Sequence, residues 1–93
     1  MKIYAVLLPL KDEEKSNQFR PDHLAFLERM RKEKKVLFHG RFTDGTGGLV
    51  IYRAKDEEEV LSYVKQDPFV VEGARSYEIH EWDMVTDLEL DLD

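Results

Sequence analysis

Residues 2–9, Lys-Ile-Tyr-Ala-Val-Leu-Leu-Pro, are apolar at odd and even positions alike. A strand of this kind puts hydrophobic side chains on both faces of its sheet, so both faces must be covered. The run is too short to span a bilayer. The charged segment Lys11-Asp12-Glu13-Glu14-Lys15 follows it, where a secretory leader would carry a small-residue cleavage site. It reads as the buried first strand of a cytoplasmic protein with no membrane segment.

The rest of the chain alternates in kind. Residues 11–18 read as a polar loop. Pro21 suits a first helical position and Asp22 a first turn, which predicts a helix over 21–35 with His23 in its first turn. Residues 36–43 read as a second strand, Asp44-Gly45-Thr46-Gly47-Gly48 as a turn, and 49–54 as a third strand. Asp56 and Glu59 have the spacing of a capping box, which starts a second helix. Pro68 disfavours helical backbone at Asp67, so that helix should end near Gln66. Residues 69–73 turn the chain, and 75–85 read as a fourth strand. The order β-α-β-β-α-β is the ferredoxin-like arrangement, an α+β fold with an antiparallel sheet and both helices on one face. The first strand then leaves an apolar face without helices. A homodimer that packs two such sheets face to face would cover it.

Ninety-three residues suffice for one core. We read residues 1–85 as the domain and 86–93 as an acidic tail. The 14 basic and 20 acidic residues give −6, of which the tail supplies −4, leaving −2 for residues 1–85. An acidic chain has no long-range attraction for phosphate backbones, so nucleic acid is not an expected partner. The absence of cysteine excludes thiolate zinc sites, CxxC redox pairs and thiol nucleophiles. It also fits a reducing compartment.

Two ionisable groups fall where apolar residues belong. On a helical wheel His23 lies amid Phe26, Leu27 and Met30. Asp67 projects from the same face as Val60 and Val64 if the second helix, or its last turn, reaches that far. Helices sharing one face of a sheet can bring the two together. A carboxylate on one imidazole nitrogen fixes the tautomer and frees the other nitrogen for proton transfer. A lone inward histidine is also a common structural residue, and Asp before Pro a common turn residue.

Other features carry less. Gly40 and Gly45 have P-loop spacing, but Thr46 stands where the lysine belongs. The glycines at 45, 47 and 48 suit a hairpin turn. His23, His39 and His80 lie in different elements without metal-ligand spacing, so no metal is expected.

The ordered set Arg20-Pro21-Asp22-His23-Leu24-Ala25-Phe26-Leu27, Gly40 with the 44–48 hairpin, Asp67-Pro68-Phe69 with Gly73, and Tyr77 to Trp82 resembles the YciI-like family over about residues 1–85. The resemblance implies a ferredoxin-like subunit, a dimeric α/β barrel and a His–Asp dyad falling on His23 and Asp67. Gly40-Arg41 departs from the Gly-Pro of many relatives, so substrate preference does not transfer.

These readings lead to an enzyme of lyase or isomerase type acting on a small polar or cyclic organic substrate. His23 and Asp67 would be catalytic, and Arg20, Asp44 and Phe69 substrate-binding. Proton transfer of this kind needs no cofactor. The alternatives are a non-catalytic small-molecule binding or regulatory module built on the same cleft, and a structural subunit in which the pair is a buried polar pin.

Overall fold

Asp12 sets where the first helix begins. In the computed structural model, which describes residues 1–90, the Asp12 side chain accepts the Lys15 N–H at 3.0 Å, and α1 runs Glu13–Lys32. Glu13 and Glu14 occupy its positive first turn. The polar loop expected over residues 11–18 is therefore mostly helix, and Pro21 lies inside α1 rather than at its start. Proline removes one helical N–H and crowds the carbonyl four residues back. That carbonyl belongs to Asn17, an exposed residue that water can reach. His23 consequently sits in the middle of the helix, clear of either end. Lys34, at φ 60° in the left-handed region just after the C-cap Glu33, stops α1 short of the expected Lys35.

The order of elements is β1 (Lys2–Pro9), α1, β2 (Val36–Arg41), β3 (Gly47–Ala54), α2 (Glu57–Val64), α3 (Pro68–Val71) and β4 (Glu78–Glu81). The described strands form one antiparallel sheet in the order β2-β3-β1-β4. This is the expected ferredoxin-like architecture. Val6 stands opposite Val50 on one side and Ile79 on the other, so one row of side chains crosses three strands. That row, with Tyr4, Leu8, Tyr52 and Ala54, packs under Phe26, Leu27 and Met30 of α1 and Val60 and Val64 of α2.

The other face carries Ile3, Ala5 and Leu7 of β1, with Leu49 and Ile51 of β3 and Phe38 of β2 beside them. Among the described residues, no helix packs there. Phe38 is 47% exposed, and Trp82, whose N–H bonds the Ile3 carbonyl at 2.8 Å, is 45% exposed.

Strand ends differ from the sequence reading for identifiable reasons. β4 is shorter than residues 75–85. At one end the Arg75 N–H is taken by the Phe69 carbonyl, and at the other the partner strand β1 runs out at Lys2. A bulge between Val36 and Phe38 shifts the phase of β2 against β3. β3 begins at Gly47 instead of Leu49, because both glycines pair with β1. At α2 the Asp56 carboxylate accepts the Glu59 N–H at 2.9 Å, and Glu59 accepts the Lys55 N–H in return. α2 ends at Val64, and the segment expected as a plain turn after Asp67 forms the single helical turn α3. Gly73, at φ 74°, closes that turn in the left-handed region.

Residues 82–90 form neither helix nor strand, and residues 91–93, the end of the acidic tail, lie outside the described residues. Among the described residues, no helix is long and apolar enough to cross a membrane.

Gly47 is the tightest backbone junction in the sheet. Its φ is 148°, and a Cβ there would lie 2.4 Å from the Leu8 carbonyl oxygen. Gly47→Ala should therefore lose more than about 1 kcal/mol of stability in urea unfolding. An unchanged midpoint would show that this β1–β3 junction can relax.

Candidate active site

The site is built where α1, α3 and the β2–β3 half of the sheet meet. Asp67 is the N-cap of α3. Its Oδ1 accepts the Phe69 N–H at 2.9 Å, and Pro68 fills the first helical position, where no N–H is needed. Asp67 thus stands at the positive end of α3 instead of the negative end of α2, the placement the sequence suggested. The same Oδ1 accepts a hydrogen bond from His23 Nδ1 at 2.8 Å, 44 residues away in the chain. Asp67 is 1% exposed and His23 8%.

A carboxylate accepts hydrogen bonds and does not donate them, so the ring proton of His23 sits on Nδ1. Nε2 has no protein partner among the described residues. The Phe69 ring stacks on His23 with centroids 3.8 Å apart and planes 14° apart, which fixes the imidazole plane. Asp67 Oδ2 is buried without a hydrogen-bond partner. Behind the pair lies Tyr52, whose phenol is pushed up by burial and, secondarily, by the charge of Asp67.

His23 opens onto a cavity of about 200 Å³. Leu8, Leu27 and Val50 form its apolar floor, and Arg20, His39 and Arg41 reach it from α1 and β2. Of the five residues singled out from the sequence, the structure brings His23 and Asp67 into contact and places Arg20 and Phe69 on the same cavity. Asp44 lies elsewhere. Its Oδ1 accepts the Thr46 hydroxyl at 2.7 Å and the Thr46 N–H at 3.0 Å, closing the β2–β3 hairpin. These bonds, the hydroxyl first, hold its carboxyl below the usual range. Asp44 is not among the residues lining the cavity.

Two lining residues escaped the sequence reading. Simple alternation from the inward Val36 would point His39 away from the helices. The β2 bulge reverses the phase, and His39 stands opposite Val50 on the helix side. There Arg31 Nη1 donates to His39 Nε2. Burial, then Arg31, then His23 push the His39 imidazole below its ordinary range. Arg75 looked like the start of a strand. It instead turns inward from the segment before β4, its guanidinium centre 4.6 Å from the centroid of Phe69.

A YCII-related domain model matches residues 2–83. The chain belongs to the YCII-related family. An uncharacterised protein of Bacillus subtilis (strain 168), YjpA, is 31% identical over 77 residues, covering 83% of this chain and 91% of YjpA. Among solved structures, 5-chloro-2-hydroxyhydroquinone dehydrochlorinase (TftG) from Burkholderia phenoliruptrix AC1100, in complex with 2,5-dihydroxybenzoquinone, superposes with a TM-score of 0.75 at 22% identity. The match covers 87% of this chain and 93% of that one, and it shows the shared α+β fold. This YCII-related chain thus has the fold that the resemblance implied.

The lowered His39 imidazole has a consequence with a definite sign. A histidine whose folded value lies below its unfolded value contributes stability that is whole above about pH 6.5 and lost as pH falls through the folded value. His39 should titrate by NMR below the ordinary imidazole range. Arg31→Gln should raise its midpoint without restoring it fully, since burial remains. A midpoint that does not rise would remove Arg31 as a cause.

Proposed function

We propose that this protein is a small enzyme of lyase or isomerase type in which His23 and Asp67 form a general acid/base dyad. The observation that supports this most directly is the buried 2.8 Å bond from His23 Nδ1 to Asp67 Oδ1, which leaves Nε2 as the ring nitrogen available to a molecule in the cavity. The substrate would be a small polar or cyclic organic molecule. A cavity of this size suits one ring, since a site of about 150 Å³ accommodates benzene.

In the cycle we infer, Nε2 takes a proton from an acidic C–H or O–H of the substrate. The imidazolium so formed is stabilised by Asp67, which stays ionised and holds the ring in place. The proton then returns to a different atom, which completes an isomerisation, or assists the departure of a leaving group, which completes an elimination. Neither course needs a cofactor. The dehydrochlorinase among the structural relatives carries an elimination in its name, which favours the second course. Arg20 would steady a polar group of the substrate, and Phe69 would keep the imidazole plane fixed through the reaction. Such a base contributes about 10²–10⁴-fold.

We also propose that the chain works as a homodimer, with a second copy covering the face that carries Phe38, Leu49 and Trp82. Exposed apolar surface of this kind is unusual on a monomer. Sedimentation should give twice the chain mass, and a monomer at micromolar concentration would overturn this part.

His23→Gln should lower turnover of the enzyme's substrate, found by screening halogenated hydroquinones and lactones, by about 10²-fold or more while the far-UV spectrum holds. Unchanged turnover would sink the dyad. A substrate-free check is the ¹⁵N spectrum of His23. The parent should show the Nδ1–H tautomer, and Asp67→Ala a mixture dominated by Nε2–H. A ligand that binds at the cavity and is recovered unchanged would favour a binding module instead.

A further inference from the structure

The cavity beside His23 is lined by three arginines, Arg20, Arg41 and Arg75, and by no carboxylate. This is unexpected in a chain whose net charge is −6. Among the described residues none of the three forms an ion pair with an acidic side chain. The same three also line an adjoining depression, where one carboxylate, Glu13, is present but pairs with none of them.

Arg75 is the most constrained. It is 7% exposed. Its Nη2 donates to Ser16 Oγ at 3.0 Å and its Nη1 to the Leu8 carbonyl at 3.3 Å. Its Nε is buried and has no hydrogen-bond partner. Arginine is seldom fully buried without an opposite charge. Asp67 makes no hydrogen bond or ion pair with Arg75: its Oδ1 accepts from His23 and from the Phe69 N–H, and its Oδ2 has no hydrogen-bond partner. Burial and then Arg20 push the Arg75 guanidinium below its ordinary range, with Asp67 opposing them. Arg20 and Arg75 line the same cavity, so two like charges face it together.

The sheet makes room for this charge. Gly48 stands opposite Leu8 on one side and Arg41 on the other, on the helix side of β3. A Cβ there would lie 3.6 Å from Arg75 Nη1 and 2.9 Å from the Gly40 carbonyl oxygen. The floor under the guanidinium is therefore left without a side chain.

We propose that the cavity selects a planar organic oxyanion, a carboxylate or a phenolate, whose charged oxygens are held by Arg20, Arg41 and Arg75 beside His23 Nε2. This rests on the reading of the cavity as the substrate site. It adds that the substrate enters as an anion, so that the arginines hold negative charge where His23 removes a proton. Planar guanidiniums match planar oxyanions in geometry as well as in charge.

The test uses matched probes on the folded full chain. Benzoate against benzamide, and 4-nitrophenolate against nitrobenzene, differ in charge at similar size. Binding is read by amide shifts in NMR titrations in low-salt buffer. In the parent, at least one anion should bind at least about fivefold tighter than its neutral counterpart. Arg20→Gln or Arg41→Gln should remove most of that preference while leaving neutral binding as it was. The benzoate and phenolate arms separate the two oxyanion classes. Arg75→Gln also breaks the ties to Leu8 and Ser16 and is the variant most prone to unfold, so the rim arginines carry the result.

A smaller preference than fivefold in both pairs overturns the proposal. So does the absence of binding of either anion at millimolar concentration, or an anion preference that survives both rim substitutions. The readout does not require turnover. His23→Gln should keep the anion preference, so a failed dyad and a failed clamp give different results.

Discussion

One carboxylate oxygen holds the site together. Asp67 Oδ1 accepts the Phe69 N–H, which starts α3, and the His23 Nδ1–H, which reaches down from α1. Because both bonds end on the same atom, the placement of α3 and the tautomer of His23 are set together. The start of α3 places Phe69 so that its ring lies parallel to the imidazole and near the guanidinium of Arg75. The Phe69 carbonyl then takes the Arg75 N–H and turns the chain toward β4. Helix capping, ring stacking and the entry of Arg75 into the cavity all follow from that junction.

The legible parts of the sequence were those governed by local pattern. The doubly apolar run of residues 2–9 specified a central strand, and the glycine-rich 44–48 segment a hairpin. The order of elements was then enough for the ferredoxin-like topology. The pairing of His23 with Asp67 was also reached, from the inward face of α1 and the spacing of Asp67 after Val60 and Val64, although Asp67 caps α3 instead of extending the apolar face of α2, which ends at Val64. What escaped reading depended on tertiary context. Pro21 argues for a helix start, yet an interior proline is tolerated where the freed Asn17 carbonyl faces water. The residue between Val36 and Phe38 looks like any other in an apolar strand, yet the bulge there decides that His39 faces the helices. Arg75 gave no signal at all, since its inward course comes from hydrogen bonds to Leu8 and Ser16, far away in sequence.

The two faces of the sheet divide the work. One face, under α1 and α2, holds nearly all of the core and most of the cavity lining. The other carries apolar side chains and no catalytic candidate. Gly40 and Leu49 belong to the second face by register, yet both also line the cavity. The β2 edge is therefore where a second copy on the open face would come nearest to the site. The homodimer proposed above would bury this surface and add area to what one 93-residue core provides.

The identity of residue 67 bears on which use of the pair is primary. Asparagine and serine cap helices about as well as aspartate. A structural cap at a site 1% exposed would be better served by one of them, because a buried carboxylate carries a desolvation cost that a neutral cap avoids. Burying an ion-capable pair is seldom the stabilising choice either, since well-packed apolar residues of similar volume do as well or better. The partner that gains from a full negative charge at this position is His23, and it gains most when its ring takes up a second proton. A carboxylate at residue 67 is thus costly for a cap and useful for a base. That asymmetry is what the proposed proton-transfer role would account for and a purely structural cap would not.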